Sequence, residues 1–141
     1  MQLNSFGSIL GFAEEMESRD ESFYTAASAS ADASAKSVFE QFMTDCKKNL
    51  KNIQRTRREN VTEMILEGIS DFTSDAYELD PGVPGEMDTS ALLAASRKLE
   101  ERAKQFYLDA AEKIKALPEV TRALKLVAKK RTAHIKQLTE M

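Results

Sequence analysis

The strongest constraint on the fold is a phrase that the sequence uses twice, at residues 12–24 and 95–107. Each copy places a glutamate, Glu17 or Glu100, six residues before a Phe-Tyr pair. Apolar residues recur around both glutamates at the three- and four-residue spacing of a helix. A carboxylate on the apolar side of a helix costs free energy unless a charged group meets it. The repeat therefore predicts two helices that face a shared interior site.

Helical spacing continues through most of the chain and predicts an all-α fold. We expect one domain over residues 1–141, with helices at roughly 5–29, 33–70, 89–116 and 118–139. The segment 71–88 interrupts the pattern with turn-forming Pro-Gly pairs. Some four-helix bundles need such a long connection to join two parallel helices. The pattern favours a four-helix bundle with a long crossover between helices 2 and 3.

Polar residues interrupt the inward-facing stripes of all four predicted helices. They are Glu17, Cys46, Asn49, Glu100, Arg131 and His134. The tyrosines of the two Phe-Tyr pairs, Tyr24 and Tyr107, are expected to line the same interior and to bond its carboxylates.

The register of helix 2 has one alternative, because Asp45 adjoins Cys46. A shift of one residue brings Asp45 inward but exposes the line of Phe42, Cys46 and Ile53. We therefore keep the register that buries Cys46 and Asn49.

With the Phe-Tyr phrases, these positions resemble the rubrerythrin branch of the ferritin-like superfamily. The resemblance implies a ferritin-like four-helix bundle that holds two irons, with one Glu from each of helices 1 and 3 and a Glu-x-x-His pair from each of helices 2 and 4. Three residues match ligand positions of the family: Glu17, Glu100 and His134. Three others stand where the remaining ligands are expected: Cys46, Asn49 and Arg131.

Arg131 changes the chemistry that such a site supports. Its guanidinium stays charged, and a unit charge pair 4 Å apart interacts by about 4 kcal/mol at an effective dielectric of 20. We expect Arg131 to pair with Glu17 or Glu100 in place of a metal. Two alternatives remain open. One is a working di-iron site, and the other is a single iron or zinc held by Glu17, Glu100 and His134, with or without Cys46.

These considerations predict a protein without a cofactor that acts as a structural, interaction or small-ligand-binding protein. The alternative is a metal-dependent oxidoreductase of rubrerythrin type that acts on oxygen or peroxide, with iron or zinc as its metal. The sequence contains no glycine-rich phosphate loop, and its single histidine leaves most acid-base and nucleophilic schemes without a base.

Composition argues against several other classes of function. A single cysteine excludes an intrachain disulfide and, with an N-terminus that lacks a basic signal region, favours a cytoplasmic location. No apolar run approaches the roughly 20 residues that span a bilayer. We expect no nucleic-acid or membrane partner, and a homodimer through helix faces stays open. We interpret the basic side of helix 2 as a solvated face; it comprises Lys47, Lys48, Lys51, Arg55 and Arg58.

Overall fold

A computed structural model describes residues 1–60 and 69–141. These residues form four α-helices: α1 (Phe6–Ser30), α2 (Ala33–Glu59), α3 (Thr89–Lys113) and α4 (Pro118–Thr139). Within the same two ranges, β-type pairing is confined to an isolated antiparallel bridge between Gln2 and Thr73. The expected all-α character is confirmed. In this part of the chain, no helix is long and apolar enough to cross a membrane.

The end of α2 differs most from expectation. We expected this helix to continue to about residue 70, but it ends at Glu59, and Ile69 and Ser70 are not helical. Residues 61–68, which the prediction also assigned to the helix, lie outside the described residues. Asn60 donates from its side-chain amide to the carbonyl oxygen of Thr56 at 2.9 Å. Such side-chain bonds compete with the helical ladder and favour its end.

Short polar side chains start three of the helices. Ser5, Asp32 and Asp88 cap α1, α2 and α3 through side-chain oxygens that accept backbone N–H groups. Pro118 occupies the first turn of α4, where its missing N–H costs nothing. The backbone N–H of Asp32 also donates to Oγ1 of Thr89 at 3.1 Å. The starts of α2 and α3 therefore lie at the same end of the molecule.

The helices pack chiefly in two pairs, α1 with α2 and α3 with α4, and the pairs contact each other. Their apolar residues form two clusters. The first includes Ile9, Leu10, Phe106 and Leu124, and the second includes Tyr24, Phe39, Phe42 and Leu92. Each helix passes from one cluster to the other at a buried polar residue: Glu17, Asn49, Glu100 and Arg131 respectively. The polar residues thus lie between two apolar regions.

The described part of the connection between α2 and α3, residues 69–88, is called the connecting segment. It contains two short 3₁₀ turns, Asp75–Tyr77 and Pro84–Glu86. Its Phe72 and Tyr77 rings pack on Phe106 of α3, with ring centroids 6.2 and 5.3 Å apart. Aromatic contacts of this kind hold the segment against the first apolar cluster.

Candidate functional site

A group of buried charged side chains separates the two apolar clusters. Burial of a charge is tolerated only where the charge is paired and hydrogen-bonded. Five side chains, each at most 2% exposed, form this group, which we call the charged centre: Glu17, Asp20, Glu100, Arg131 and His134.

Arg131 holds the charged centre together. Its Nη2 lies 2.7 Å from Oε2 of Glu17 and 2.9 Å from Oδ2 of Asp20, and its Nη1 bonds to Oε2 of Glu100. A planar guanidinium has five N–H donors in a fixed fork, so it can bond three carboxylates at once. Burial by itself lowers the pKa of Arg131, but the surrounding carboxylates, Glu100 first, raise it well above its usual value. The centre therefore contains a permanent cation.

Glu17 has two neutral donors besides Arg131. The hydroxyl of Tyr107 donates to its Oε2 at 2.6 Å, and Nδ2 of Asn49 donates to its Oε1 at 3.1 Å. Burial, together with the negative charge of Glu17, raises the pKa of Tyr107 well above its usual value. Tyr107 therefore keeps its proton and stays a hydrogen-bond donor. The carboxylate of Glu17, on α1, thus has partners from α2, α3 and α4.

His134 joins Glu100 to Asp45. Its Nδ1 contacts Oε1 of Glu100, and its Nε2 lies 2.7 Å from Oδ2 of Asp45. Both neighbours are carboxylates, so both ring nitrogens donate only when the ring is an imidazolium. Burial lowers the pKa of His134, but the bonds to Glu100 and Asp45 outweigh it and raise the pKa above 6.5. The ring of Phe42 stacks on the imidazole, with ring centroids 3.9 Å apart.

Asp20 links the centre to the outer side of α3. Its Oδ1 lies 2.6 Å from Nη2 of Arg102, whose side chain is 10% exposed. Burial raises the pKa of Asp20 to about 6, although Arg131 and Arg102 act in the opposite direction. Charged contacts thus run through the interior from Arg102 to Asp45, whose side chain is 25% exposed.

All eight residues predicted for the site are buried: Glu17, Tyr24, Cys46, Asn49, Glu100, Tyr107, Arg131 and His134. Cys46 and Tyr24 belong to the second apolar cluster. Burial raises the pKa of the Cys46 thiol well above its usual value, which leaves a neutral thiol. The hydroxyl of Tyr24 has no hydrogen-bond partner among the described residues, so the expected bond to a site carboxylate is made by Tyr107 and not by Tyr24.

Sequence reasoning missed two members of the charged contacts, Asp20 and Arg102, and it set Asp45 aside together with the rejected register of helix 2. The signal for Asp20 was its position one helical turn after Glu17, on the same face. Cys46 and Asn49 are buried, as the chosen register of α2 requires. Asp45 lies at the side of that stripe and still reaches His134, so the alternative register was not needed to bring it to the site.

The residues of the charged centre do not fit the six-ligand iron site that the resemblance implies. The guanidinium of Arg131 lies among the carboxylates that would bind metal, and both nitrogens of His134 are bonded to carboxylates. Neither nitrogen of an imidazolium offers a lone pair to a metal. In residues 1–60 and 69–141, no group of three or more His, Cys, Asp or Glu side chains is arranged to hold a metal ion.

Comparison with protein-family models, with curated proteins and with solved structures gives no match to this chain. The resemblance to rubrerythrins therefore stays a prediction that rests on the residues themselves.

Proposed function

We propose that this protein is a rubrerythrin-like bundle with a degenerate di-iron site, and that it acts as a non-catalytic structural, interaction or small-ligand-binding protein. One observation carries the proposal: the guanidinium of Arg131 bonds to Glu17, Asp20 and Glu100, where the family resemblance places metal. A fixed organic cation neutralises carboxylates as a metal does, but it offers no open coordination position for oxygen or peroxide.

The contact between Asp32 and Thr89 supports the ferritin-like part of the proposal. Because α2 and α3 start at the same end, the chain must return along α2 before α3 begins. With 27 residues at about 1.5 Å per residue, α2 is about 40 Å long. The need for a connection of that reach between helices 2 and 3 supports the crossover that the family resemblance implies.

A metal-dependent oxidoreductase is the second candidate. The observation in its favour is that Asp20 and Asp45 add two carboxylates to the predicted Glu17, Glu100 and His134. Carboxylates and imidazole suit iron and zinc. This candidate requires Arg131 to leave the centre, which would break three buried ion pairs.

Metal analysis separates the two candidates. The parent protein and three variants are produced in medium supplemented with iron and zinc: Arg131→Gln, Glu100→Ala, and Lys130→Gln as a matched control. Lys130 is an exposed neighbour on the same helix. We expect substoichiometric metal in the parent and in Lys130→Gln. We expect Arg131→Gln either to take up metal or to lose stability, because its carboxylates lose their cation.

Stoichiometric metal in the parent that disappears in Glu100→Ala would overturn the non-catalytic proposal in favour of the oxidoreductase. An Arg131→Gln variant that is as stable as the parent and binds no metal would show that Arg131 does not stand in for metal charge. Either result is read directly from metal content and an unfolding curve.

A further inference from the structure

A groove of about 450 Å³ lies between α1, α3 and the connecting segment. We call it the connector groove. Its volume is in the range of pockets that hold small molecules. Its lining residues include Arg19, Phe23, Ala26, Leu79, Leu99 and Arg102.

Most of the groove surface that these residues provide is apolar. Phe23 and Leu99 belong to the second apolar cluster, and Leu79 packs against it from the connecting segment. Phe23 and Leu99 are nearly fully buried and form the floor of the groove, so an apolar ligand chain would chiefly cover Ala26 and Leu79, which are more exposed. Burial of this apolar surface favours binding.

The wall formed by the connecting segment has a defined turn. Gly82 has a φ of +89°, a conformation that favours glycine. Its N–H donates to Oδ1 of Asp80 at 2.9 Å, and the Cε of Met87 lies 2.7 Å from the position that a Cβ would take. A larger residue at position 82 would strain the turn and displace Met87. Glycine at position 82 therefore lets the connecting segment adopt the turn that forms this wall of the groove.

The inner end of the groove carries the guanidinium of Arg102, which has more N–H donors than it has hydrogen bonds to the described residues. Arg102 makes one short bond, to Asp20 at 2.6 Å, while its contacts with the carbonyl oxygens of Leu99 and Tyr77 are long, at 3.4 and 3.5 Å. An incoming carboxylate can accept the remaining N–H groups of Arg102 in the charge-assisted geometry that guanidinium favours.

A second cation lies at the mouth of the groove. The side chain of Arg19 is 71% exposed, and within the described residues its only ion pair is a 3.8 Å contact with Glu15, whose side chain is 63% exposed. Exposed pairs of this kind contribute little to stability. Arg19 is therefore available to attract an anion toward Arg102.

We propose that the connector groove binds a small amphipathic carboxylate, with its carboxylate on Arg102 and its apolar chain against Phe23, Leu79 and Leu99. This inference rests on the small-ligand-binding role proposed above and assigns the class of ligand. The positive charge of Arg102 selects a ligand with an anionic head group, and the apolar walls select a ligand with an apolar chain.

Isothermal titration calorimetry with sodium octanoate tests the groove, with octylammonium chloride as a probe of equal chain length and opposite charge. We expect octanoate to bind the parent at one site and octylammonium to bind at least about tenfold more weakly, a difference of about 1.4 kcal/mol. Absence of octanoate binding to the parent, or equal binding of the two probes, would overturn the proposal.

Two exposed alanines of α1 provide a matched pair of variants. Ala26→Trp fills the groove, whereas Ala29→Trp places the same side chain outside it. We expect Ala26→Trp to weaken octanoate binding at least about tenfold and Ala29→Trp to leave it within about twofold. Equal affinities in these two variants would contradict the assigned location.

Arg102→Gln tests the head-group contact, and we expect the same loss of octanoate affinity. Because this change also removes a bond to Asp20, its fold is checked by circular dichroism. Ala26→Trp alters no charged group, so it tests the groove independently. A parent without stoichiometric metal that binds no octanoate would overturn only this inference. A metal-loaded parent that loses its metal in Glu100→Ala would overturn the proposed function whatever octanoate does.

Discussion

The first copy of the repeated phrase, on α1, and the second, on α3, place equivalent glutamates in the interior and give them different partners. Glu17 receives two neutral donors, Tyr107 and Asn49, together with Arg131. Glu100 receives two cationic side chains, Arg131 and His134. Both carboxylates are fully buried. The pairing of one therefore depends partly on neutral hydrogen bonds, whereas the pairing of the other depends on opposite charge.

Other equivalent positions of the two copies differ in the same way. Tyr107 donates to Glu17, but the equivalent Tyr24 lies against the rings of Phe39 and Phe42 and its hydroxyl has no partner among the described residues. The side chain of Arg102 is 10% exposed, whereas that of its equivalent, Arg19, is 71% exposed. Equal spacing along a helix places two side chains alike, but the neighbouring helices decide what each one meets.

Removal of Arg131 should have the largest effect, because both copies share its charge. We expect Arg131→Leu to lower the free energy of unfolding by about 3–5 kcal/mol, since three buried carboxylates lose their cation. Urea unfolding measures the loss. Lys130→Leu, an exposed change on the same helix, should stay within about 0.5 kcal/mol of the parent. Similar values for the two variants would show that the charged centre does not depend on Arg131.

The two glutamates can be compared directly by the same substitution. In Glu100→Gln a neutral amide replaces the carboxylate that meets two cations. We expect the free energy of unfolding to fall by about 3 kcal/mol, since each bond to a charged group contributes about 1.5–3 kcal/mol. Glu17→Gln should lose about 2 kcal/mol, because two of its three donors are neutral. Chemical unfolding of both variants gives the order. The reverse order would contradict the distinction drawn between the copies.

The two tyrosines form the next pair. Tyr107→Phe leaves a buried carboxylate without one donor, and we expect a loss of about 1.5–2 kcal/mol in the free energy of unfolding. Tyr24→Phe removes a hydroxyl that has no partner among the described residues, so we expect no loss or a small gain. Thermal unfolding of the two variants in parallel gives the comparison. A larger loss for Tyr24→Phe would mean that its hydroxyl is bonded in solution.

The smallest effect concerns the second carboxylate on His134. As the chain has one histidine, an NMR titration follows it without overlap. We expect its pKa to lie above 6.5, because of its bonds to Glu100 and Asp45, and to fall in Asp45→Asn. Because the folded pKa is raised, the stability that protonated His134 contributes is complete below about pH 6.5 and is lost as the pH rises through the folded pKa. A titration at or below 6.5 in the parent would contradict the imidazolium.

Spacing along the chain was sufficient to predict helices and their inward faces. Apolar residues that recur every three or four positions must share one side of a helix, and that side must be buried. Hence Glu17, Asn49, Glu100, Arg131 and His134 were all expected inside, and each is buried. The end of α2 was predicted poorly, because no spacing signal shows that Asn60 bonds back to the last turn.

The partners of the buried charges depended on the tertiary structure. Arg131 lies 114 residues from Glu17 and 111 from Asp20 in sequence, and only the association of the two helix pairs brings them within hydrogen-bond distance. Periodicity assigns a residue to a face of its own helix, but it does not fix how far two helices are shifted relative to each other along their axes. A buried carboxylate must find a cation or a donor wherever packing allows one. For that reason the residue spacing predicted that Arg131 pairs with Glu17 or Glu100, and the packing of the helices decided that it bonds to both and to Asp20 as well.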